Sequence, residues 1–414
     1  MKNKHILIPV IIIVLLYLLV WNSNLFGYML TPVVTLGFIF ALASIVLKSA
    51  SPPQVFDKMS WDKITLLIAG VSVVGLFFYA NYIFTNNPID IAKSDIIPLI
   101  KEVYVDRFIK GQFVYDRVVG YDYKDWTPNY LPMHWLPFVP ALLMDVDPRW
   151  VAFILFMCVQ TWYIVSVLKS NFSNLEKRVK VLLPLIMLFS VMHKQQNSFA
   201  HSVELLICSY YMLIAMGLNK YNNSTVSVGF VLTVLSRYVS VFFAPVYAFH
   251  ALLSNRINAF KFLFILLIGV LLLYVFPFMR SHPMIFFDGA AAYDIAALGE
   301  WKGQSWQAAG DPPYQLFQGY GFASWVYMFY PATMLETKIH FLKNLLLLVM
   351  ILNVVFGLVY LWKYRPDMSS LPALLIITLG VFFSFVLVPY NYLYWNVLFL
   401  LPISTMHIRW FEQK

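Results

Sequence analysis

Runs of apolar residues alternate with short polar segments along most of the chain. About 20 consecutive apolar residues are needed to cross the hydrocarbon core of a bilayer, so the longer runs predict membrane-spanning helices. Two short runs, 181–192 and 225–236, predict helices that stop below one surface and border a water-filled cavity. The predicted spans are residues 5–21, 26–47, 64–84, 149–168, 181–192, 202–218, 225–236, 239–253, 262–278, 341–362, 370–388 and 392–408.

Composition indicates the same class of protein. Of the 414 residues, 61% are apolar and 12% are charged, and the mean hydropathy is +0.72. This is too little polar side-chain surface to cover a soluble globule of that length. We therefore expect an all-α polytopic membrane protein, a bundle of about 12 transmembrane helices that forms one domain over residues 1–414.

The positions of the basic residues explain the formal net charge of +9. With the N-terminus in the cytoplasm, the inner segments hold 16 basic and five acidic residues, and the rest of the chain holds 13 and 15. This is the positive-inside pattern, so no nucleic-acid partner is needed to account for the charge. It predicts that both termini lie in the cytoplasm and that two large loops, 85–148 and 279–340, lie on the outer face. We expect the membrane to be the plasma (inner) membrane.

The first outer loop begins with an amphipathic segment. Its apolar residues recur at helical spacing and its charged residues take the other side. Pro98 suits a first helical turn and Gly111 suits a helix end, so we predict a helix over about 96–110 that lies flat on the outer leaflet. Asp95 stands at the N-terminus of this helix, where it serves either as a helix cap or as a functional carboxylate.

A proline-broken apolar segment follows in the same loop, Tyr130-Leu-Pro-Met-His-Trp-Leu-Pro-Phe. Prolines at positions 132, 137 and 140 prevent an ordinary straight span. The segment therefore predicts a broken or re-entrant element that covers a site.

The order of these features resembles the GT-C glycosyltransferases, and within them glycosyltransferase family 87, which uses polyprenyl-phosphate sugars to transfer mannose or arabinofuranose. The resemblance implies that Asp95 is the catalytic base. Gly111 and Tyr115 would end the loop helix, and Tyr130 with Pro132 would cover the site. The Gly-Gln-x-Asn of that family is matched by residues 194–197, with Lys194 replacing the glycine, and its Leu-Lys-Pro by residues 235–237, with Ser236 and Arg237 replacing the lysine and proline.

The implied reaction needs few catalytic groups. A lipid phosphate is a good leaving group, so one base can suffice where glycoside hydrolysis normally uses two carboxylates. The negative charge that develops on the departing phosphate needs cations or hydrogen-bond donors. Snorkelling to the outer interface is the alternative role for Arg237, and interfacial anchoring or a solvated loop is the alternative for His193 and Lys194. The candidates for donor phosphate or lipid binding are Arg237, His193, Lys194, Arg280 and His134.

The second outer loop is long and aromatic, which favours sugar stacking or, as the alternative, an aromatic belt at the membrane surface. We expect acceptor or sugar contacts from Tyr130, Asn197, Trp301 and Trp306. The pair of aspartates at 145 and 147 is similar to a metal motif, but a turn explains it more simply. No cofactor or metal is therefore expected.

The predicted activity is inverting transfer of a mannose-like hexose from a polyprenyl-phosphate donor to a glycolipid or glycan acceptor on the outer face. A carrier or flippase of a lipid-linked sugar is the alternative, and it predicts paired inverted repeats, which the asymmetric loops do not favour. A scaffold subunit without chemistry is a third class, and it would tolerate Asp95→Asn.

Overall fold

The computed structural model describes residues 8–21, 25–49, 62–89, 96–121, 124–303, 307 and 310–411. Over these residues the chain is helical apart from one short antiparallel hairpin. By length and composition, five of the described helices are able to cross a membrane: Gly27–Ser49, Lys63–Asn86, Arg149–Leu168, Arg256–Met279 and Leu335–Tyr364. The all-α class and the apolar helices of a membrane protein are confirmed, whereas the count of 12 crossings stays a prediction.

The elements of the first half include the first outer loop. In chain order they are α1 (Ile8–Trp21), α2 (Gly27–Ser49), α3 (Lys63–Asn86), α4 (Ile97–Leu99), a π-helix (Ile100–Val105), α5 (Asp106–Ile109), β1 (Val118–Tyr121), β2 (Lys124–Trp126), α6 (Pro132–Trp135), a 3-10 helix (Leu136–Phe138), α7 (Val139–Leu143), α8 (Arg149–Leu168), α9 (Asn174–Lys194) and α10 (Gln196–His201).

The second half continues in the same style. Its elements are α11 (Glu204–Asn219), α12 (Asn223–Val234), α13 (Ser240–Ser254), α14 (Arg256–Val270), a π-helix (Leu271–Met279), α15 (Ile285–Lys302), a 3-10 helix (Tyr314–Phe317), α16 (Ala323–Phe329), α17 (Leu335–Tyr364), 3-10 helix Met368–Ser370, α18 (Leu371–Ser384), 3-10 helix Asn391–Tyr394, α19 (Trp395–Leu398) and α20 (Leu400–Ser404).

The centre of the bundle is built on α11 and α18. Both helices are buried along almost their whole length, and α11 packs against α8, α12, α19 and α20. Helices α11 and α12 approach so closely that a Cβ at Gly217 would meet Val226, and one at Gly229 would meet Ile214. In contrast, α3, α14 and α17 expose most of their apolar side chains, which suits helices that face lipid.

The predicted helix of the first outer loop is present as a continuous helical segment, Ile97–Ile109, whose middle is a π-helix. Gly111 follows it with a positive φ of 67°, a conformation that glycine adopts without strain. The segment buries Ile100 and Tyr104 against the protein and exposes Lys101 on its other side. The amphipathic pattern therefore predicted the helical element, whereas its position flat on the outer leaflet stays a prediction.

The bounds of several predicted spans differ from those of the helices, and two of these differences have a clear physical reason. Helix α9 begins at Asn174, with Ser173 as its N-cap, and not at residue 181. The predicted span 392–408 is divided into the 3-10 helix and the short helices α19 and α20. In the first case charged residues lie inside the helix because they form buried pairs, and in the second Pro402 and the short turns prevent one straight helix.

Candidate functional site

The proline-broken segment of the first outer loop docks on the turn that joins α12 to α13. The backbone N–H of Met133 donates to the Leu235 carbonyl at 2.8 Å. The Tyr210 hydroxyl donates to the Met133 carbonyl at 3.2 Å, and Nδ1 of His134 lies 3.4 Å from the Ser236 carbonyl oxygen. These contacts bring two predicted motifs, residues 130–138 and 235–237, into one place.

Two tyrosines of the loop helix region fix the backbone at Tyr130. The Tyr104 hydroxyl accepts the backbone N–H groups of Asn129 at 3.0 Å and Tyr130 at 2.9 Å. The Tyr115 hydroxyl donates to the Tyr130 carbonyl at 3.0 Å. Burial raises the pKa of the Tyr104 phenol well above its ordinary value, so it stays protonated at neutral pH. Trp135 stacks on the Tyr104 ring with centroids 5.6 Å apart, which holds the cover in place.

Arg237 forms an ion pair with Glu204, the first residue of α11. Its Nη2 atom lies 2.5 Å from Oε2 of Glu204, and the exposed fractions of the two side chains are 26% and 1%. Burial opposes the charged form of Arg237, but the Glu204 carboxylate together with Tyr392 and Tyr211 outweighs this effect and raises the pKa of the guanidinium. The second carboxylate oxygen, Oε1, accepts a hydrogen bond from Nδ2 of Asn396. We call Glu204, Arg237 and Asn396 the Arg237 cluster.

Three polar atoms in and beside the Arg237 cluster are buried and lack a hydrogen-bond partner within the described part of the chain. They are Nε of Arg237, Oδ1 of Asn396 and the hydroxyl of Tyr211, which lies on α11 two turns after Glu204. Buried polar atoms without partners are uncommon in folded proteins, and each one needs an explanation such as a bound ligand or water. The cluster therefore has unused hydrogen-bonding capacity.

His134 contributes a neutral imidazole beside this cluster. Its side chain is 2% exposed, and burial, followed by the positive charge of Arg237, lowers its pKa to about 3. The ring lies 4.6 Å from that of Tyr130, measured between centroids. Of the two roles predicted for His134, hydrogen bonding is open to it at neutral pH, whereas a positive charge is not.

Tyrosines from two further segments, and Tyr238 of the same turn, lie close enough to Arg237 to interact with its charge. Burial raises the pKa of the Tyr293 phenol in α15, and the charge of Arg237 partly offsets that rise. Arg237 acts in the same way on Tyr238, and Tyr392 in turn favours the charged guanidinium. The segment 130–138, the α12–α13 turn, α15 and the C-terminal segment around Tyr392 thus meet near Arg237.

The predicted residues at the end of α9 lie away from this convergence. His193 and Lys194 are exposed, and Nδ1 of His193 contacts the Tyr79 hydroxyl at 3.1 Å. Asn197 is also exposed, and its carbonyl contacts Nδ1 of His201 at 3.0 Å.

Gln195 connects this segment to the Arg237 cluster. Its Oε1 accepts the indole N–H of Trp395 at 2.6 Å, and Trp395 is the chain neighbour of Asn396. Lys194 borders a small cleft together with Tyr17, Gln195 and Leu398. The end of α9 therefore supports the C-terminal side of the cluster.

The remaining predicted site residues have separate positions. Arg280 is exposed and follows the π-helix Leu271–Met279. Trp301 is fully buried and donates its indole N–H to the Leu387 carbonyl at 2.9 Å, so in this structure it packs a second core under the outer loop. Asp95 and Trp306 lie outside the described residues.

Asp147 forms a structural ion pair. Its two carboxylate oxygens accept hydrogen bonds from Arg149 at 2.6–3.0 Å. Arg149 also donates to the carbonyls of Phe84 at 2.9 Å and Asn87 at 2.6 Å, which fixes the end of α3. Across the described residues, no group of three or more His, Cys, Asp or Glu side chains could hold a metal ion.

Glu204, Asn396, Tyr211 and Tyr392 are not among the site residues predicted from the sequence. A polar amide or an ionisable group inside an apolar run is the signal that was available for Glu204 and Asn396. Comparisons of the chain with protein-family models, with curated proteins and with solved structures find no match.

Proposed function

We propose that the protein is an inverting membrane glycosyltransferase. It transfers a mannose-like hexose from a polyprenyl-phosphate donor to a glycolipid or glycan acceptor at the outer face of the plasma membrane, with Asp95 as the general base. The observation that carries this proposal is the Arg237 cluster, a charged guanidinium with an unused buried N–H beneath the docked first outer loop.

The chemistry of Arg237 suits a lipid phosphate. A guanidinium has five N–H donors in a planar fork that matches phosphate oxygens. Glu204 keeps the cation neutralised while the site is empty, which lowers the cost of holding a charge at the edge of a membrane. A phosphate bound at Nε would add charge-assisted hydrogen bonds without displacing the carboxylate.

The proposed step balances with one base. The acceptor hydroxyl oxygen forms a bond to the anomeric carbon as the bond from that carbon to the phosphate oxygen breaks. The hydroxyl proton goes to the Asp95 carboxylate, and the bonding electrons leave with the phosphate. Attack from the face opposite the leaving group inverts the anomeric configuration. The attraction between Arg237 and the phosphate increases as negative charge develops on the phosphate. Arg237 therefore stabilises the transition state more than the bound substrate, which lowers the activation barrier.

The neutral His134 and the tyrosines near Arg237 support the same proposal. Phenol and imidazole groups that stay neutral can hydrogen-bond a sugar hydroxyl and provide flat apolar surfaces, without adding charge that would hold the leaving phosphate. The membrane provides the medium for a polyprenyl chain, since the helices on both sides of the Arg237 turn are apolar.

The test incubates purified protein in lipid with a panel of radiolabelled polyprenyl-phosphate sugars and a crude glycolipid extract. Wild type is compared with Asp95→Asn and with Asp106→Asn, a matched control on the same loop whose carboxylate is exposed and paired with Lys110 at 2.7 Å. We expect transfer by wild type and Asp106→Asn, and its loss in Asp95→Asn.

Equal transfer by Asp95→Asn would show that Asp95 is only a helix cap. If no variant transfers label but label crosses the membrane of sealed vesicles, the protein is a carrier of the lipid-linked sugar and not a glycosyltransferase.

A further inference from the structure

Asn396 holds the Glu204 carboxylate from the side opposite Arg237. The side chain is fully buried on α19. Its Nδ2 donates to Oε1 of Glu204 and to the Leu393 carbonyl, the latter at 3.0 Å. Both partners are acceptors, so the NH₂ group must face them and the amide orientation is fixed. Asn396 thereby occupies the carboxylate oxygen that Arg237 does not use.

This arrangement controls how Glu204 can bind Arg237. A carboxylate that is free to turn pairs with a guanidinium side-on, through two parallel N–H···O bonds. Here only Oε2 reaches Arg237, through Nη2, and Nε keeps its hydrogen without a partner among the described residues. The amide of Asn396 is therefore in the position that keeps Nε out of the ion pair.

We propose that Asn396 is a positioning residue for an anionic ligand of Arg237. By holding Oε1 of Glu204, it prevents the side-on ion pair and keeps the Nε–H of Arg237 available to a phosphate oxygen. The identification of that ligand as a lipid phosphate rests on the proposed function.

A second buried asparagine provides a matched control. Asn219 is the last residue of α11, is also fully buried, and donates from Nδ2 to the Ile403 carbonyl at 2.7 Å. Its Oδ1, like that of Asn396, has no partner in the described structure. The two asparagines tie the same C-terminal segment to opposite ends of α11, about 23 Å apart by the helical rise. They share burial and structural role, but only Asn396 contacts the Arg237 cluster.

The experiment measures the affinity of farnesyl phosphate for purified wild type, Asn396→Leu and Asn219→Leu, together with KM and kcat for transfer. We expect Asn396→Leu to weaken the binding of farnesyl phosphate about tenfold, which corresponds to the lower limit for one charge-assisted hydrogen bond. We also expect it to raise KM more than it lowers kcat. Asn219→Leu is expected to lower the melting temperature while its affinity stays that of wild type.

The inference is overturned if Asn396→Leu binds like wild type, if Asn219→Leu weakens binding equally, or if wild type binds no farnesyl phosphate. Failure of the proposed function has a different signature. In that case wild type transfers no sugar, while the affinity difference between the two asparagine variants remains and supports the positioning role.

Discussion

Among its described residues the bundle contains two buried glutamate–cation pairs, one at each end, and they differ in how completely their hydrogen bonds are satisfied. At the end opposite Arg237, the ammonium of Lys180 lies 3.2 Å from Glu176 and donates to the carbonyls of Met406 at 3.1 Å and Ile408 at 2.6 Å. These three contacts match its three N–H groups. We call this group the Lys180 cluster.

The surroundings of Lys180 are closed as well. The rings of Phe172 and Trp410 lie 3.5 Å and 5.1 Å from its ammonium, measured to the ring centroids. The side chain of Lys180 has no exposed surface, whereas a quarter of Arg237 is exposed. A saturated, closed pair can only hold segments together, while a pair with spare donors at an opening can receive a ligand. An ion pair whose hydrogen bonds are all made therefore indicates a structural role, whereas one with unpaired donors indicates a candidate binding site.

The largest effect on stability is expected at the closed pair. Lys180→Met leaves the Glu176 carboxylate buried without its cation, which costs about 3–5 kcal/mol. We expect a large fall in the melting temperature in detergent. The double variant Lys180→Met with Glu176→Gln should recover much of that loss, because no buried charge remains. If the double variant melts at the same temperature as Lys180→Met, the structural role of the Lys180 pair is contradicted.

A smaller, local effect on stability is expected at Asn129 and Tyr130, in the segment that docks beside Arg237. Tyr104→Phe removes the hydroxyl that accepts the N–H groups of Asn129 and Tyr130, at a cost of about 1–3 kcal/mol. Hydrogen exchange at these two amides should become faster. Tyr82→Phe, which changes an exposed ring on α3, is the control. Unchanged exchange in Tyr104→Phe would show that the loop is held by other contacts.

The third effect is a dependence of stability on pH. The pKa of His134 is lowered to about 3 in the folded protein, so between pH 6.5 and pH 3 the unfolded chain binds a proton that the folded chain does not. Stability from this group is complete above pH 6.5 and falls as the pH decreases, by on the order of 1 kcal/mol per unit. Melting temperatures at pH 7 and pH 5 check this.

The matched variants are His134→Asn and His193→Asn. His134→Asn should reduce the pH dependence, whereas His193→Asn, at an exposed position, should retain it. A slope that is identical in all three proteins would mean that His134 does not titrate differently on folding.

The elements that local pattern determines could be predicted from the sequence. The loop helix follows from apolar residues at helical spacing and from Gly111 at its end, and every predicted span overlaps a helix. The start of α9 was missed although Ser173 and Glu176 form the Ser-x-x-Glu pattern of a helix N-terminus. The burial of Glu176 and Lys180 could not be predicted, because it depends on their contacts with each other and with C-terminal residues.

The composition of the Arg237 cluster depends on contacts between distant parts of the chain. Asn396 meets Glu204 across 192 positions of sequence, and no local spacing indicates such a contact. Trp301 illustrates the same limit, since an aromatic residue in an outer loop can equally stack on a sugar or fill a core. Here it fills one.

One measurement compares the two clusters directly, namely kcat/KM for transfer from the labelled polyprenyl-phosphate donor by folded Arg237→Gln and folded Lys180→Met. The account predicts a loss of about 10²–10³-fold in Arg237→Gln, the usual cost of removing a donor to a developing negative charge. It predicts transfer close to that of wild type in the folded fraction of Lys180→Met. Wild-type transfer by Arg237→Gln, or equal loss in both variants, would contradict it.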